Sequence, residues 1–215
     1  MQKALIVDFG GVLTTSVWDS FAAFCREKGL EEDAVRRLFR EDPEALADLR
    51  QLETGEMDEA LFEVRFAERL RLDECTDLID SMFRGMLPEP QMVGIVEGAH
   101  NDGIKTGLIS NSWSTGHYDR ELLDRLFDDV VISADVGLHK PDPAIYLLSC
   151  QRLGIDPADA VFVDDLRENI AGAEAVGMTG VLHRDPDETA AKLEEIFGVG
   201  LRPSGTPGGQ KRDAG

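Results

Sequence analysis

Lys3-Ala4-Leu5-Ile6-Val7-Asp8-Phe9-Gly10-Gly11-Val12-Leu13-Thr14 is the stretch around which the rest of the chain is organised. Ala4 to Val7 is an apolar run of strand length that stops in a carboxylate, with a pair of glycines just beyond. A buried strand that ejects an Asp at its C-terminal end and then turns tightly presents that Asp at the rim of a sheet. Open α/β folds keep their ligands at that rim. The glycines tolerate positive φ and let backbone come close to a bound group. Taken alone, the stretch reads equally well as a strand running into an Asx-type turn.

After Thr14 the pattern becomes helical. Val17, Phe21 and Phe24 are helix-spaced, and Gly29 is a natural stop. Val35, Leu38 and Phe39 follow, then Pro43 to Gln51, then Leu61, Val64, Phe66 and Leu70, and finally Leu78, Ile79, Met82 and Phe83. This block, residues 16–86, reads as a small helical bundle inserted after the first strand. From Pro88 strands alternate with helices. Strands are expected at Ile104–Ile109, Val130–Ser133, Ala160–Val163 and Thr179–Leu182, with a last helix at Thr189–Phe197. Asp142 before Pro143 reads as an N-cap with proline at the first helical position. Alternation of this kind implies a parallel sheet with right-handed crossovers, so every strand-to-helix turn opens on one edge. Asp8, Ser110, Lys140 and the pair Asp164-Asp165 all lie at or just after strand ends and can converge there. Residues 199–215 are rich in Gly, Pro and Ser without periodicity and are expected to form a flexible tail.

The 215 residues carry 42 acidic against 22 basic side chains, a formal net charge of −20. Such a surface repels nucleic-acid phosphate and anionic lipid, and an anionic substrate needs a metal or a local Lys to correct the field. Neither nucleic acid nor membrane is therefore expected as a partner. Cys25, Cys75 and Cys150 form no CxxC pair and read as reduced thiols in the core. No signal peptide and no membrane-spanning run is seen, so a cytoplasmic monomer or homodimer is expected.

The order and spacing of these features resemble the haloacid dehalogenase (HAD) superfamily, subfamily I, with a helical cap inserted after the first motif. The residues that carry the resemblance are Asp8 to Leu13, the strand ending at Ser110, Lys140 within Gly137-Leu138-His139-Lys140-Pro141-Asp142-Pro143, and Val161-Phe162-Val163-Asp164-Asp165 with Asn169 beyond. Leu108 to Trp113 is especially similar to the N-terminal phosphatase domain of soluble epoxide hydrolase. The resemblance covers Lys3 to Phe197. It implies a Rossmann-like α/β core of residues 1–15 and 87–198 with helices on both faces of the sheet, and a cap of residues 16–86. It also implies a site. Asp8 would be the nucleophile, forming an aspartyl-phosphate. The Asp8 carboxylate, the Gly10 carbonyl and Asp165 would ligate Mg²⁺, with Asp164 and Asn169 behind them. Ser110, Asn111 and Gly11 would hold the phosphoryl group, and Lys140 would neutralise it. The substrate would be a small phosphorylated metabolite, its identity set by the cap and by the loop around Glu53-Thr54-Gly55-Glu56.

Gly10 departs from the family pattern. Most family phosphatases place there an Asp that acts as general acid and then base, a role typically worth about 10²–10⁴-fold. Glycine keeps the carbonyl and loses the proton donor, and Thr14 and His139 are poor substitutes. Turnover is then expected to favour aryl and acyl phosphates over alkyl phosphates. Three functions compete: a Mg²⁺-dependent phosphatase; a catalytically weak binding or regulatory protein, which Gly10 favours; and a haloacid dehalogenase, which uses no metal and which the paired acids Asp164-Asp165 oppose. Trp18 and Trp113 either line the cleft between cap and core or fill it.

Overall fold

The computed structural model describes residues 2–113 and 118–201. Five parallel strands form one sheet in the order β3-β2-β1-β4-β5, with β1 at Ala4–Val7, β2 at Lys105–Ser110, β3 at Asp129–Ile132, β4 at Ala160–Asp164 and β5 at Thr179–Leu182. β1 is central, and every one of its residues is buried. Parallel strands covered on both faces read as continuous apolar runs, as Ala4–Val7 and Ala160–Val163 do. Leu5, Val7, Leu108, Val161 and Val163 pack on one face with α6 (Pro90–Asn101), α7 (Arg120–Leu126) and α11 (Pro186–Phe197). Ala4, Ile6, Ile109, Val131 and Phe162 pack on the other with α9 (Pro143–Leu153) and α10 (Arg167–Ala175).

Strand order reverses beside β1: β2 and β3 lie on one side, β4 and β5 on the other. A crevice opens outside the carboxyl ends at such a switch point. Val7 pairs with Leu108 and with Val163. Asp8, Ser110 and Asp164 therefore leave the sheet at nearly the same level.

Helices α1 (Val17–Glu27), α2 (Ala34–Glu41), α3 (Pro43–Glu53), α4 (Glu59–Leu70) and α5 (Leu78–Phe83) lie between β1 and α6. They have their own core, built from Phe21, Phe24, Phe39, Phe62, Phe66, Ile79 and Met82. The two connections to the sheet are stitched to each other. Thr14 bridges to Pro88, Thr15 N–H donates to the Leu87 carbonyl (2.8 Å) and Leu87 N–H donates to the Thr15 hydroxyl (3.0 Å).

Part of the acidic excess caps helices. Asp42, Asp142 and Asp185 each precede a proline and accept backbone N–H groups from the first turn, where negative charge meets the positive end of the helix dipole. The cap at Asp185 starts the last helix at Pro186 rather than Thr189. A short helix not expected from the sequence, α8 (Ser133–Val136), follows β3 directly. Cys25 and Cys150 are buried as expected, whereas Cys75 is exposed. The chain also stays packed beyond Phe197. Leu201 is fully buried in the sheet's core, and its N–H donates to the Glu194 carboxylate. Residues 202–215, the greater part of the expected tail, lie outside the described residues.

Candidate active site

The centre of the rim is an ionic knot. Lys140 Nζ lies 2.7 Å from Asp8 Oδ1 and 2.8 Å from Asp164 Oδ2, and all three residues are buried. Burial works against the Lys140 ammonium, but Asp164 and Asp8 outweigh it and hold its pKa above the ordinary lysine value. Burial pushes the Asp8 carboxyl up, Lys140 pulls it down and Asp164 pushes it up again, with a net rise. Asp165 is pushed up to about 6 by burial and by Asp164.

Each residue is fixed by the backbone around it. Asp8 continues β1, with its N–H bonded to the Val163 carbonyl (2.9 Å) and its Oδ1 accepting the N–H of Phe9 (2.7 Å). Asp164 ends β4 and is fully buried. Besides Lys140, its carboxylate accepts from Leu166 N–H (2.8 Å) and from Asn169 Nδ2 (3.1 Å to each oxygen). Asn169 thus orients Asp164, not Asp165. Gly11 has φ of +76°, and a Cβ there would lie 2.8 Å from Asp165 Oδ2. Glycine is needed there both for the turn and for the close approach of Asp165. The Gly11 N–H is donated to Thr14 Oγ1 (3.2 Å).

The turn after β2 is held on both sides. Ser110 Oγ accepts the Tyr118 hydroxyl at 2.9 Å. The Asn111 side chain does not face the crevice. Its Nδ2 donates to the Lys140 carbonyl (3.0 Å) and its Oδ1 accepts the Lys140 N–H (2.8 Å), clasping the backbone that carries the lysine. Ser112 N–H donates to Ser133 Oγ (2.9 Å), tying the turn to α8. No spacing rule marks Tyr118 in the sequence. It reaches the site through Ser110 and through edge-on packing against Phe9.

Trp113 leaves this turn and enters the helical layer. Its ring lies 5.2–5.7 Å from Phe21, Phe39, Phe62 and Phe83. Its Nε1–H donates to Glu53 Oε1 at 3.2 Å. Glu53, the last residue of α3, is pushed up to about 7 by burial, against the pull of Trp113, Lys140 and Arg50.

The donor set fits a divalent cation. Carboxylate oxygens of Asp8, Asp164 and Asp165 lie within 4.8 Å of one another. Lys140 offsets only one of these charges, and burial, with repulsion from Asp164, raises Asp8 and Asp165. An oxygen-only set with excess negative charge suits Mg²⁺.

A family model for haloacid dehalogenase-like hydrolases matches residues 2–177. The chain belongs to that family. Among curated relatives, it is 32% identical over 114 residues to mouse acyl-CoA dehydrogenase family member 10, across 52% of this chain and 11% of that protein. It is 30% identical to the glyceraldehyde 3-phosphate phosphatase of Methanopyrus kandleri, across 47% of this chain and 46% of the other. It is 28% identical to the putative phosphatase YhcW of Bacillus subtilis, across 84% and 72%. The match thus spans less than half the length of the first two. A HAD-like hydrolase from Porphyromonas gingivalis shares the fold, with TM-score 0.70 and 20% identity over 92% of this chain and 98% of that one. So does a HAD family enzyme from Bacteroides thetaiotaomicron solved as a magnesium complex, with TM-score 0.66 and 19% identity over 85% and 93%. Among the described residues, no helix is long and apolar enough to cross a membrane.

Proposed function

We propose that this hydrolase is a Mg²⁺-dependent phosphatase of a small phosphorylated metabolite, working through an aspartyl-phosphate on Asp8. The observation that carries the reading is the Asp8–Lys140–Asp164 knot at the switch point of the sheet, with Asp165 closing a cluster of three carboxylates around one ammonium. Phosphatase-named relatives support the reaction class.

Asp8 Oδ2 would attack phosphorus, while Oδ1 stays on Lys140 and the Phe9 N–H. The phosphoryl group would then sit beside Lys140, whose charge offsets the negative charge that spreads over its oxygens. Ser110 Oγ, held by Tyr118, would donate to one phosphoryl oxygen. Asn111 contributes mainly by positioning Lys140, and its backbone N–H would face the phosphoryl group. Gly11 leaves room for that group and for Asp165. Asp8, the Gly10 carbonyl and Asp165 would hold Mg²⁺, which would supply positive charge against the nucleophile and the phosphoryl oxygens. Asp164 and Asn169 would fix Lys140 behind them. Helices α1–α5 would serve as a cap over the crevice, hinged where Thr14 and Thr15 pair with Leu87 and Pro88. The carboxylate cluster opposes the dehalogenase reading, which needs no metal.

The test is a panel of phosphate esters assayed for phosphate release with Mg²⁺ and with excess EDTA. Release that needs Mg²⁺ supports the reading. No release from any ester, or release indifferent to EDTA, overturns it.

A further inference from the structure

Gly10 leaves the site without the usual proton donor, and the neighbours that could replace it are engaged. Thr14 Oγ1 accepts from Gly11 and donates to the Thr15 carbonyl. His139 Nδ1 is bonded to the Lys140 carbonyl. The Tyr118 hydroxyl is aimed at Ser110. Phosphoryl transfer, meanwhile, runs in line, so the leaving oxygen departs on the side opposite the nucleophile. With Asp8 on the rim, that side faces the helical layer.

Glu53 stands there. It ends α3, and the turn after it is pressed onto the sheet domain. Gly55, at φ +73°, lies so close to α8 that a Cβ would sit 2.8 Å from the Ala134 carbonyl. One carboxylate oxygen is held by Trp113, three residues beyond Ser110. We propose, resting on the phosphatase reading, that Glu53 is the general acid and base that Gly10 lacks, and that the substrates are phosphomonoesters of aliphatic alcohols.

The proton balance is complete. Asp8 forms its bond to phosphorus as the bond to the leaving oxygen breaks, and the Glu53 carboxyl gives that oxygen its proton, releasing the alcohol. Water then attacks the aspartyl-phosphate and passes one proton to the Glu53 carboxylate. The bond from phosphorus to Asp8 breaks, inorganic phosphate leaves and Glu53 is neutral again. A group of this kind works best with a pKa near the working pH, and burial pushes Glu53 up to about 7. The charges on the surrounding elements are accounted for. Arg50 on α3 and Lys140 pull the carboxyl down. Arg65 and Arg69 of α4 clasp Asp48. On α2, Arg36 lies over Trp18, Arg37 pairs with Asp33 and Arg40 with Glu41. α8 carries Asp135 on its exposed side, with Ser133 on the buried one.

The experiment compares kcat/KM for an alkyl and an aryl phosphate of similar size, across pH, in wild type, Glu53→Gln and Trp113→Phe with Mg²⁺. Gln keeps an acceptor for Trp113, so a purely positioning role would survive the change. The expected result is an alkyl-to-aryl ratio at least about 10²-fold lower in Glu53→Gln, together with loss of the alkyl rate's fall above neutral pH. Trp113→Phe removes the N–H that favours the carboxylate and should move that fall to higher pH. An unchanged ratio in Glu53→Gln, with Asp8→Asn inactive, overturns the role of Glu53 and leaves the phosphatase reading standing. A fall that stays in place in Trp113→Phe also counts against it. If wild type cleaves neither ester, the phosphatase reading itself fails and takes this one with it.

Discussion

The rim of the sheet and the underside of the helical layer both bury carboxylates, but they balance the charge differently. At the rim, Asp8, Asp164 and Asp165 share one ammonium, and burial with mutual repulsion raises Asp8 and Asp165, a condition that a divalent cation would relieve. Under the helices, Glu53 has one neutral donor and two more distant cations, and the carboxyl relieves its burial by holding its proton. Burial disfavours the charged form in both places. What differs is the company each keeps: three clustered carboxylates that a metal would suit, against one carboxyl beside a neutral donor.

The largest expected effect tests the rim. Asp8→Asn should reduce phosphate release to background while the protein still folds, because Asn keeps shape and an acceptor for Lys140 but is no nucleophile. Wild-type turnover in this variant, with a normal thermal melt, would remove Asp8 from the chemistry.

The next effect separates the two acids after β4. Asp164 is fully buried and clasped by Lys140, Leu166 and Asn169. Asp164→Ala leaves Lys140 with one carboxylate fewer and should cost stability on the order of 3 kcal/mol. Asp165 is half-buried, so Asp165→Ala should melt near wild type and instead weaken Mg²⁺ binding by tenfold or more in titration calorimetry. If both variants lose the same stability and the same affinity, the division between holding the lysine and holding the metal is wrong.

These two regions were not equally legible in the sequence. The rim could be read because its parts are local: an apolar run that ends in acid marks a strand and its rim residue together, as at Val7-Asp8 and Val163-Asp164. Asp142-Pro143 likewise announces its helix. Under the helices, Glu53 and Trp113 were each visible as cleft residues but their pairing was not, because they are 60 residues apart and meet only when the helical layer docks. Asn111 was visible as a site residue but not its clasp on Lys140, 29 residues away, which depends on how two turns pack. Leu201 was lost in a Gly- and Pro-rich composition, although one apolar side chain was enough to anchor the segment.

Gly10→Asp tests whether the two regions exchange roles. Gly10 is not among the positive-φ glycines, so backbone does not oppose the change. The obstacle is Val17, whose Cγ2 would lie 2.8 Å from the new Cβ. A β-branched side chain at the start of a helix moves little, and overpacking of this kind costs about 1–3 kcal/mol. Gly10→Asp with Val17→Ala should therefore hold its carboxylate better than Gly10→Asp alone. With Glu53 intact the gain in alkyl phosphate kcat/KM should be less than tenfold, since a donor is already present. In the Glu53→Gln background the same pair should restore roughly 10-fold or more of the lost rate. Equal gains in both backgrounds would mean that the two carboxyls do not serve the same proton.

The smallest effect is read from stability and needs no substrate. The Glu53 carboxyl ionises near 4.5 in the unfolded chain and at about 7 in the folded one. Between those values the unfolded chain has given up a proton that the folded protein retains, so stability falls as pH rises through that window. Below it both states hold the proton, and above it both have lost it, so the contribution is flat at either end. Gln has no such proton. The difference in Tm between wild type and Glu53→Gln should therefore decline from pH 4.5 to 7 and level off above. Glu53 is half-buried, so solvent screening reduces the effect to about 1–2 kcal/mol, a few degrees for a chain of this size. Asp8 and Asp165 also titrate in this range with the same sign, but they are present in both proteins and cancel in the difference. Saturating Mg²⁺ should reverse the rim's own pH slope, because a metal held by ionised carboxylates stabilises the folded state more as protons leave, and should leave the Glu53 difference in place. A difference independent of pH would mean that Glu53 ionises normally, and the contrast between a rim that attracts a metal and a helical layer that stores a proton would fail on its second half.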